Sequence, residues 1–248
     1  LEKAGKSIAV NYALEIIETE LFVMMDSDAI CDADALKLIV SWFSDQKIGA
    51  VCGQHLVDKK KQDYHYRSRF NTLRVGESSL DSTPIFEGSI CAFRLSALGS
   101  RKIDERINAD DSQLAILSRK NGFKSVMDPR ILFFERSDNF SRTRRVRRAQ
   151  GLMRALFSNR NLCSGNSIFS RIMLQSIYFH TIFPWAIFSS ILLISLPIFY
   201  FPYFGFETNF EVCASLLTIF AVFISRTGRG LVSGSSVVIE GQIRLFFG

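Results

Sequence analysis

The stretch Leu21-Phe22-Val23-Met24-Met25-Asp26-Ser27-Asp28 decides the fold of this chain. Its five consecutive apolar residues predict a strand that is buried on both faces, as in parallel sheets covered by helices. Ligands of open α/β sheets bind just beyond the carboxyl ends of such strands, which is where Asp26 and Asp28 lie. Two carboxylates at this place either hold a divalent cation together with substrate phosphate oxygens or cap a following helix.

The segments around this strand alternate between helical and strand patterns. Apolar residues at helical spacing predict a helix over residues 5–17, and Asp32 is placed to cap a second helix. The inner face of that second helix is expected to carry Leu36, Ile39, Val40 and Phe43. Further strands are predicted over residues 48–53, 90–94, 123–127 and 131–134, and further helices within 59–81 and over 111–120. Such alternation is typical of an α/β fold.

The last third of the chain is apolar. No charged residue occurs between Ile172 and Phe206, a run longer than the roughly 20 residues that cross a bilayer core. This run predicts at least one transmembrane helix, with a buried hairpin of a soluble protein as the alternative. A second apolar segment covers residues 212–225, and residues 231–247 are expected to form an interfacial helix or a further span.

Charge around these segments predicts their orientation. The loop between them carries Glu207 and Glu211 without Lys or Arg, whereas Arg226 and Arg229 follow the second segment. By the positive-inside rule, the flanks lie in the cytoplasm. We therefore expect a multi-pass protein of the cell membrane with a cytoplasmic amino-terminal domain.

Composition excludes several classes of partner and site. The five cysteines form no C-x-x-C pair, which argues against a zinc site or a disulfide framework. The net charge of +6 is concentrated in residues 136–171, next to the first apolar segment. This placement favours a membrane surface, a lipid phosphate or a nucleotide diphosphate over nucleic acid.

Three further groups of residues are candidates for chemistry. Asp110 and Asp111 stand at a predicted helix start, where they either complement the helix dipole or provide a general base. The arginine-rich segment from Arg142 to Leu152 either anchors the domain to anionic lipid or neutralises a phosphate group. Lys6 is either solvated or positioned near a phosphate.

The order of these parts resembles the family 2 glycosyltransferases with a GT-A fold. The resemblance runs from Lys3 to Leu152 and into the membrane part. It rests on Gly5-Lys6 and its helix, the strand with Asp26-Ser27-Asp28, Gly88-Ser89 with Arg94, Asp110-Asp111-x-x-Leu114, and the basic segment. It implies an α/β fold: a partial GT-A (Rossmann-like) nucleotide-sugar domain followed by transmembrane helices.

The resemblance also implies roles for individual residues. Asp28 and Asp26 are expected to bind Mg²⁺ or Mn²⁺, and Asp111 is expected to act as the catalytic base, with Asp110 in the preceding acidic position. Binding of the nucleotide-diphosphate sugar is expected to involve Lys6, Asp26, Asp28, Gly88, Ser89 and Arg94. Arg145 and Arg148 are expected to contact the diphosphate or an acceptor phosphate.

Two departures from the family pattern qualify this expectation. The Q-x-x-R-W motif is matched loosely by Arg145-Val146-Arg147-Arg148-Ala149, which leaves a single-transfer enzyme open beside a processive polysaccharide synthase. The family's usual first strand, nucleotide-contacting loop, helix and second strand have no counterpart before Gly5. We therefore expect an amino-terminally truncated member with little activity on its own.

The sequence thus predicts three parts: a partial GT-A catalytic domain (1–135), an arginine-rich juxtamembrane segment (136–171), and transmembrane and interfacial helices (172–248). The predicted function is inverting transfer of a sugar from a nucleotide-diphosphate donor to a lipid-linked or polysaccharide acceptor at the cytoplasmic membrane face. The alternative is a non-catalytic, membrane-anchored module that binds anionic lipid through its arginines. A nucleotidyltransferase acting on lipid phosphate accounts less well for the Asp110-Asp111 and arginine segments together.

Overall fold

A five-stranded mixed sheet lies at the centre of the fold. The computed structural model describes residues 5–56, 64–99, 102–135, 141–200 and 226–247. The strands are β1 (Leu21–Met25), β2 (Ala29–Cys31), β3 (Ile48–His55), β4 (Ile90–Arg94) and β5 (Lys124–Glu135). Their order across the sheet is β1-β4-β3-β5-β2. The β3/β5 pair is parallel, and the other three pairs are antiparallel.

Seven α-helices are present in the described part of the chain: α1 (Lys6–Ile16), α2 (Ala35–Trp42), α3 (Tyr64–Leu80), α4 (Asp110–Lys120), α5 (Arg142–Ser158), α6 (Ile168–Tyr200) and α7 (Arg226–Phe247). One apolar cluster packs α1 and α4 against the sheet, and another packs α2 against it. The α/β class expected from the sequence is confirmed, with a mixed sheet in place of the expected parallel one.

The β1 strand corrects one expectation. Its bounds match the apolar run, but it is an edge strand among the described residues and pairs with β4 alone. Phe22 and Met24 pack on the apolar core, whereas Val23 and Met25 are 43% and 47% exposed. The prediction of burial on both faces was therefore wrong.

Two other elements differ from the predicted pattern. The α2 helix buries Ala35 and Ile39, followed by Phe43, so Leu36 and Val40 of the expected inner face lie exposed. The two strands expected near residues 123–134 form one twelve-residue strand, β5. A shift in its pairing with β3 between Cys52 and Gln54 lets the strand continue past Pro129.

The last three helices pack on one another, and α7 also packs on α3. The carboxylate of Glu240 on α7 accepts a hydrogen bond from Arg142 Nε on α5 at 2.7 Å. Within the described residues, one helix segment, Ile168–Leu193, is long and apolar enough to span a membrane. The sequence led us to expect several transmembrane helices, and the described part of the chain contains one candidate. The segment 212–225 lies outside the described residues, and residues 231–247 belong to α7.

Candidate active site

A cavity of about 620 Å³ opens where β1 ends. Its wall is formed by the turn after β1, the segment before β4, the start of α4 and one face of α5, with α3, α6 and α7 contributing further residues. Nine of the ten residues singled out for catalysis and binding line this cavity, namely Lys6 and eight others. These eight are Asp26, Asp28, Gly88, Ser89, Asp110, Asp111, Arg145 and Arg148.

A tight turn places Asp26 and Asp28 at the cavity edge. The main-chain N–H of Asp26 donates to the carbonyl oxygen of Ser89 at 3.1 Å, which continues the pairing of β1 with β4. The carbonyl oxygen of Asp26 accepts from the N–H of Ala29 at 3.0 Å. Because main-chain hydrogen bonds fix both ends of the turn, the backbone that carries the two carboxylates is held against the sheet.

Lys6 lies between two of the acidic groups. The α1 helix is fastened to the segment before α4, since Ser7 Oγ donates to Ile107 O at 3.0 Å. This places Lys6 Nζ 2.7 Å from Asp26 Oδ1 and 3.4 Å from Asp110 Oδ2. Burial lowers the pKa of Lys6, but Asp110 and Asp26 outweigh it and hold that pKa above its ordinary value. The ammonium therefore stays charged and links the two acidic sites.

Asp110 and Asp111 form the first turn of α4, where the helix dipole favours negative charge. Burial, followed by the charge of Asp110, raises the pKa of Asp111 to about 7. A Cβ added at Gly88 would lie 2.8 Å from Asp111 Oδ2, so the absence of a side chain there lets the main chain approach this carboxyl closely. A carboxyl with a pKa near neutrality suits general base catalysis better than an ordinary carboxylate does.

The segment before β4 is fixed by side chains from three elements. The N–H of Phe86 donates to Ser112 Oγ on α4 at 3.2 Å. Arg74 on α3 donates to the carboxylate of Glu87. Ser89 Oγ donates to Glu135 Oε1 at 2.9 Å, at the end of β5. Gly88 is thereby held beside Asp111.

The α5 helix supplies a basic wall. Arg144, Arg145, Arg147 and Arg148 all line the cavity, and Arg148 Nη2 lies 3.6 Å from Glu135 Oε1. Ser141 caps this helix by accepting a hydrogen bond from the N–H of Arg144 at 3.3 Å. Several guanidinium groups on one side of a cavity suit phosphate oxygens.

Arg94 requires a correction. The structure places it at the far end of β4 from the cavity, because Ile90 pairs with Met25 and Arg94 pairs with Leu21. Its side chain is buried, donating from Nε to Ile48 O at 3.2 Å and from Nη2 to Phe43 O at 2.6 Å. Arg94 therefore joins β3 and the end of α2 and does not line the expected sugar site.

Several residues that line the cavity were not predicted from the sequence. Glu87 stands directly before Gly88-Ser89, and its position beside these two predicted site residues is a usable signal. Asn71 and Arg74 lie three residues apart on α3, within the helix predicted in residues 59–81, and no motif marks them. Glu135 precedes the arginine-rich segment, but its bond to Ser89 depends on sheet pairing that the sequence does not show.

The donor set fits a divalent cation that shares its coordination with a substrate. Among the described residues, no group of three or more His, Cys, Asp or Glu side chains is arranged to hold a metal. Mg²⁺ in particular is often bound by one or two carboxylates plus substrate phosphates. Asp28 and Asp26 at the cavity edge match that arrangement, with the arginine wall available for the remaining phosphate charge.

A cavity with these properties suits an enzyme that binds a diphosphate-bearing donor. The chain belongs to glycosyl transferase family group 2, whose family model matches residues 21–225. It is therefore a glycosyltransferase, and not the non-catalytic lipid-binding module considered from the sequence.

A solved structure with a similar fold agrees with this assignment. It is a mannosyltransferase from Pyrobaculum calidifontis, in complex with GDP-Man and Mn²⁺. The two chains are 26% identical with a TM-score of 0.80, and the match covers 99% of this chain and 68% of the other. A comparison with curated protein sequences finds no match.

Proposed function

We propose that the chain is an inverting glycosyltransferase that uses a nucleotide-diphosphate sugar, with GDP-mannose as the first donor to test. The observation that carries this proposal is Asp111, a carboxyl with a pKa of about 7 in the same cavity as Asp26 and Asp28. The GDP-Man bound by the similar mannosyltransferase supports the choice of donor.

In the proposed reaction, Asp111 accepts the proton of an acceptor hydroxyl. The acceptor oxygen bonds to the anomeric carbon from the face opposite the nucleotide. The bond from that carbon to the phosphate oxygen breaks, and the electron pair leaves on the nucleoside diphosphate. Arg145 and Arg148 are placed to neutralise the charge on the departing diphosphate.

Asp28 and Asp26 would hold the divalent cation, Mg²⁺ or Mn²⁺. When bound, such an ion stabilises negative charge on phosphate oxygens. Lys6 Nζ lies 2.7 Å from Asp26 Oδ1, so Asp26 would share its carboxylate between this ammonium and the cation. The Mn²⁺ in the similar mannosyltransferase supports this assignment.

We further propose a lipid-linked or polysaccharide acceptor at the cytoplasmic face of the cell membrane. His180 of the apolar segment Ile168–Leu193 lines the same cavity as Arg145 and Arg148, so the arginine wall and the candidate span border one cavity. A cavity beside such a span is accessible to an acceptor held in the membrane. The cytoplasmic side is supported by the arginines that flank the apolar segments.

The test is Asp111→Asn in the 248-residue chain. Protein in excess over radiolabelled GDP-mannose, with Mn²⁺ and methyl α-mannoside as probe acceptor, makes a single slow turnover measurable. We expect the transfer rate to fall about a hundredfold or more, the usual contribution of a general base. The rise in Tm produced by GDP with Mn²⁺ should persist, since Asp111 is not assigned to the nucleotide.

Asp45→Asn, at an exposed acidic residue away from the cavity, is the matched control and should leave the rate unchanged. Loss of the GDP-dependent rise in Tm in Asp111→Asn would contradict the assigned role. A larger rise with UDP than with GDP in the unaltered chain would show that the donor base is wrong.

A further inference from the structure

The α3 helix forms a wall of the cavity that the proposed reaction does not use. Phe70, Asn71 and Arg74 line it. Asn71 is 3% exposed, and its Oδ1 has no hydrogen-bond partner among the described residues. Arg74 Nε is likewise buried without a partner in that part of the chain, although its Nη1 donates to Glu87. Buried polar atoms are nearly always paired, so these two atoms point to a ligand.

The two unpaired atoms have complementary chemistry. Asn71 Oδ1 accepts a hydrogen bond and Arg74 Nε–H donates one, and residues three apart share one face of a helix. A hydroxyl group donates and accepts at once, so it matches the pair. An ionised phosphate oxygen has no proton to offer Asn71.

Charge on this wall also disfavours a phosphate. The carboxylate of Glu87 pairs with Arg74 and cancels its charge. Glu77, 4% exposed on the same helix, adds a second acidic group near Arg74. The α3 wall thus has no excess positive charge, in contrast to the arginines of α5.

The wall is connected to the proposed base. Contacts run from Asp26 through Lys6 to Asp110 and its neighbour Asp111. The link continues to the α3 wall, because Gly88 lies beside Asp111 and the adjacent Glu87 is paired with Arg74. A group bound at Asn71 and Arg74 would therefore approach the base past Glu87 and Gly88, and not past Lys6 and Asp26, which are assigned to the donor.

We infer that Asn71 and Arg74 form a subsite for a hydroxyl group of the acceptor, and that the acceptor presents a sugar to the site and not a bare lipid phosphate. This inference rests on the proposed function. Phe70 borders the subsite, and its ring centroid lies 5.7 Å from that of His180 on α6, so the subsite adjoins the candidate membrane span.

The test measures binding of a sugar probe to the 248-residue chain. Saturation-transfer NMR with methyl α-mannoside, in the presence of GDP and Mg²⁺, reports contact without requiring turnover. Asn71→Leu keeps the branched shape and the number of side-chain heavy atoms and removes the amide, so it should reduce saturation transfer at least fivefold. The affinity for GDP should change less than twofold. Thr72→Val, at an exposed neighbour on α3, should leave both unchanged.

The outcomes of this test distinguish a wrong subsite from a wrong proposed function. If Asn71→Leu leaves saturation transfer unchanged, or lowers the affinity for GDP, the acceptor subsite is wrong although the enzyme assignment stands. If farnesyl phosphate binds to the unaltered chain and loses affinity in Asn71→Leu, the subsite takes phosphate and the inference also fails. Absence of any GDP-dependent rise in Tm in the unaltered chain would instead contradict the proposed function.

Folding is controlled within the same series. Asn71→Leu removes an unpaired buried polar atom, so its Tm should equal or exceed that of the unaltered chain. If its Tm is lower, Asn71→Ala makes the same test, because it also removes the amide and adds no bulk to the cavity. Unchanged saturation transfer in a folded Asn71→Ala variant would overturn the inference.

Discussion

Asp111 governs the expected pH dependence of transfer. The base must be ionised to accept a proton, and burial together with Asp110 raises its pKa to about 7. The single-turnover rate should therefore rise with pH, reach half its maximum near pH 7 and level off above pH 8. Asp110→Asn removes one cause of the raised pKa and should move the midpoint to lower pH. A midpoint near pH 4 in the unaltered chain would contradict the role of Asp111.

Glu77 makes a separate contribution, to stability. Burial raises its pKa to about 7, although Thr83 Oγ1 donates to its carboxylate at 2.7 Å. The folded state thus holds a proton that the unfolded state releases near pH 4.5. The stabilisation from Glu77 is complete below about pH 4.5 and is lost as pH rises through about 7.

Glu77→Gln should therefore change the pH dependence of Tm. Its amide oxygen can still accept the Thr83 hydroxyl but does not ionise. The Tm of the variant should match that of the unaltered chain at pH 5 and exceed it at pH 8, as measured by thermal unfolding at both values. Glu18→Gln, at an exposed carboxylate, should show no such difference. A lower Tm than the unaltered chain at pH 8 would show that Glu77 is ionised and stabilising.

Single residues also show how much of the candidate site could be predicted from the sequence. The Asp26-Ser27-Asp28 and Asp110-Asp111 motifs were placed in the cavity region because carboxylates at a strand end and at a helix start have recognisable local patterns. Arg94 was misplaced because its role depends on which end of β4 faces the cavity. That direction follows from antiparallel pairing with β1, which no local pattern specifies.

Among the helices, the approach of α5 to the segment before α4 depends on one glycine. A Cβ added at Gly151 would lie 2.4 Å from the carbonyl oxygen of Asn108, a distance that requires the main chain to shift. Because α5 carries Arg145 and Arg148, such a shift would move the arginine wall away from Asp110 and Asp111. Gly151 therefore couples helix packing to the geometry of the cavity.

Gly151→Ala should lower Tm and weaken GDP binding, even though alanine favours the helical state. Gly76→Ala on α3 is the matched control, because a Cβ there has no atom within 4 Å. Alanine loses less conformational entropy than glycine when the helix forms. Gly76→Ala should therefore raise the free energy of unfolding by about 1 kcal/mol and raise Tm. Thermal unfolding and GDP titration of both variants make the comparison. Equal gains in Tm would contradict the packing role of Gly151.

The elements themselves were predicted unevenly. The bounds of β4 and the end of α4 at Asn121-Gly122 match the sequence, since Gly122 has a φ of +90° that suits glycine. The inner face of α2 was misjudged because Leu36 and Val40 are apolar, whereas burial follows Ala35 and Ile39. Hydrophobic residues are often exposed, so their spacing alone does not fix which face packs.

For the molecule as a whole, the α6 helix is the element that bears on contact with a membrane. The α6 helix buries Phe169, Ile172 and Met173 against the rest of the fold. Its other face carries large, exposed apolar side chains, which are Leu174, Tyr178, Ile182, Trp185, Leu192 and Leu193. A continuous exposed apolar face of this kind marks a membrane or protein contact. We propose that it contacts lipid.

Ile182→Lys tests this contact. A lysine near the centre of a span costs about 2.5–3.5 kcal/mol by insertion scales, so the variant should be retained several-fold less in membranes washed with sodium carbonate. Leu80→Lys places the same charge at a 66% exposed apolar residue on α3 and should leave retention unchanged. Because Ile182 is 59% exposed, its loss should not lower the Tm of detergent-solubilised protein. Equal retention of both variants would mean that this face of α6 does not insert, and that the acceptor reaches the cavity from solution.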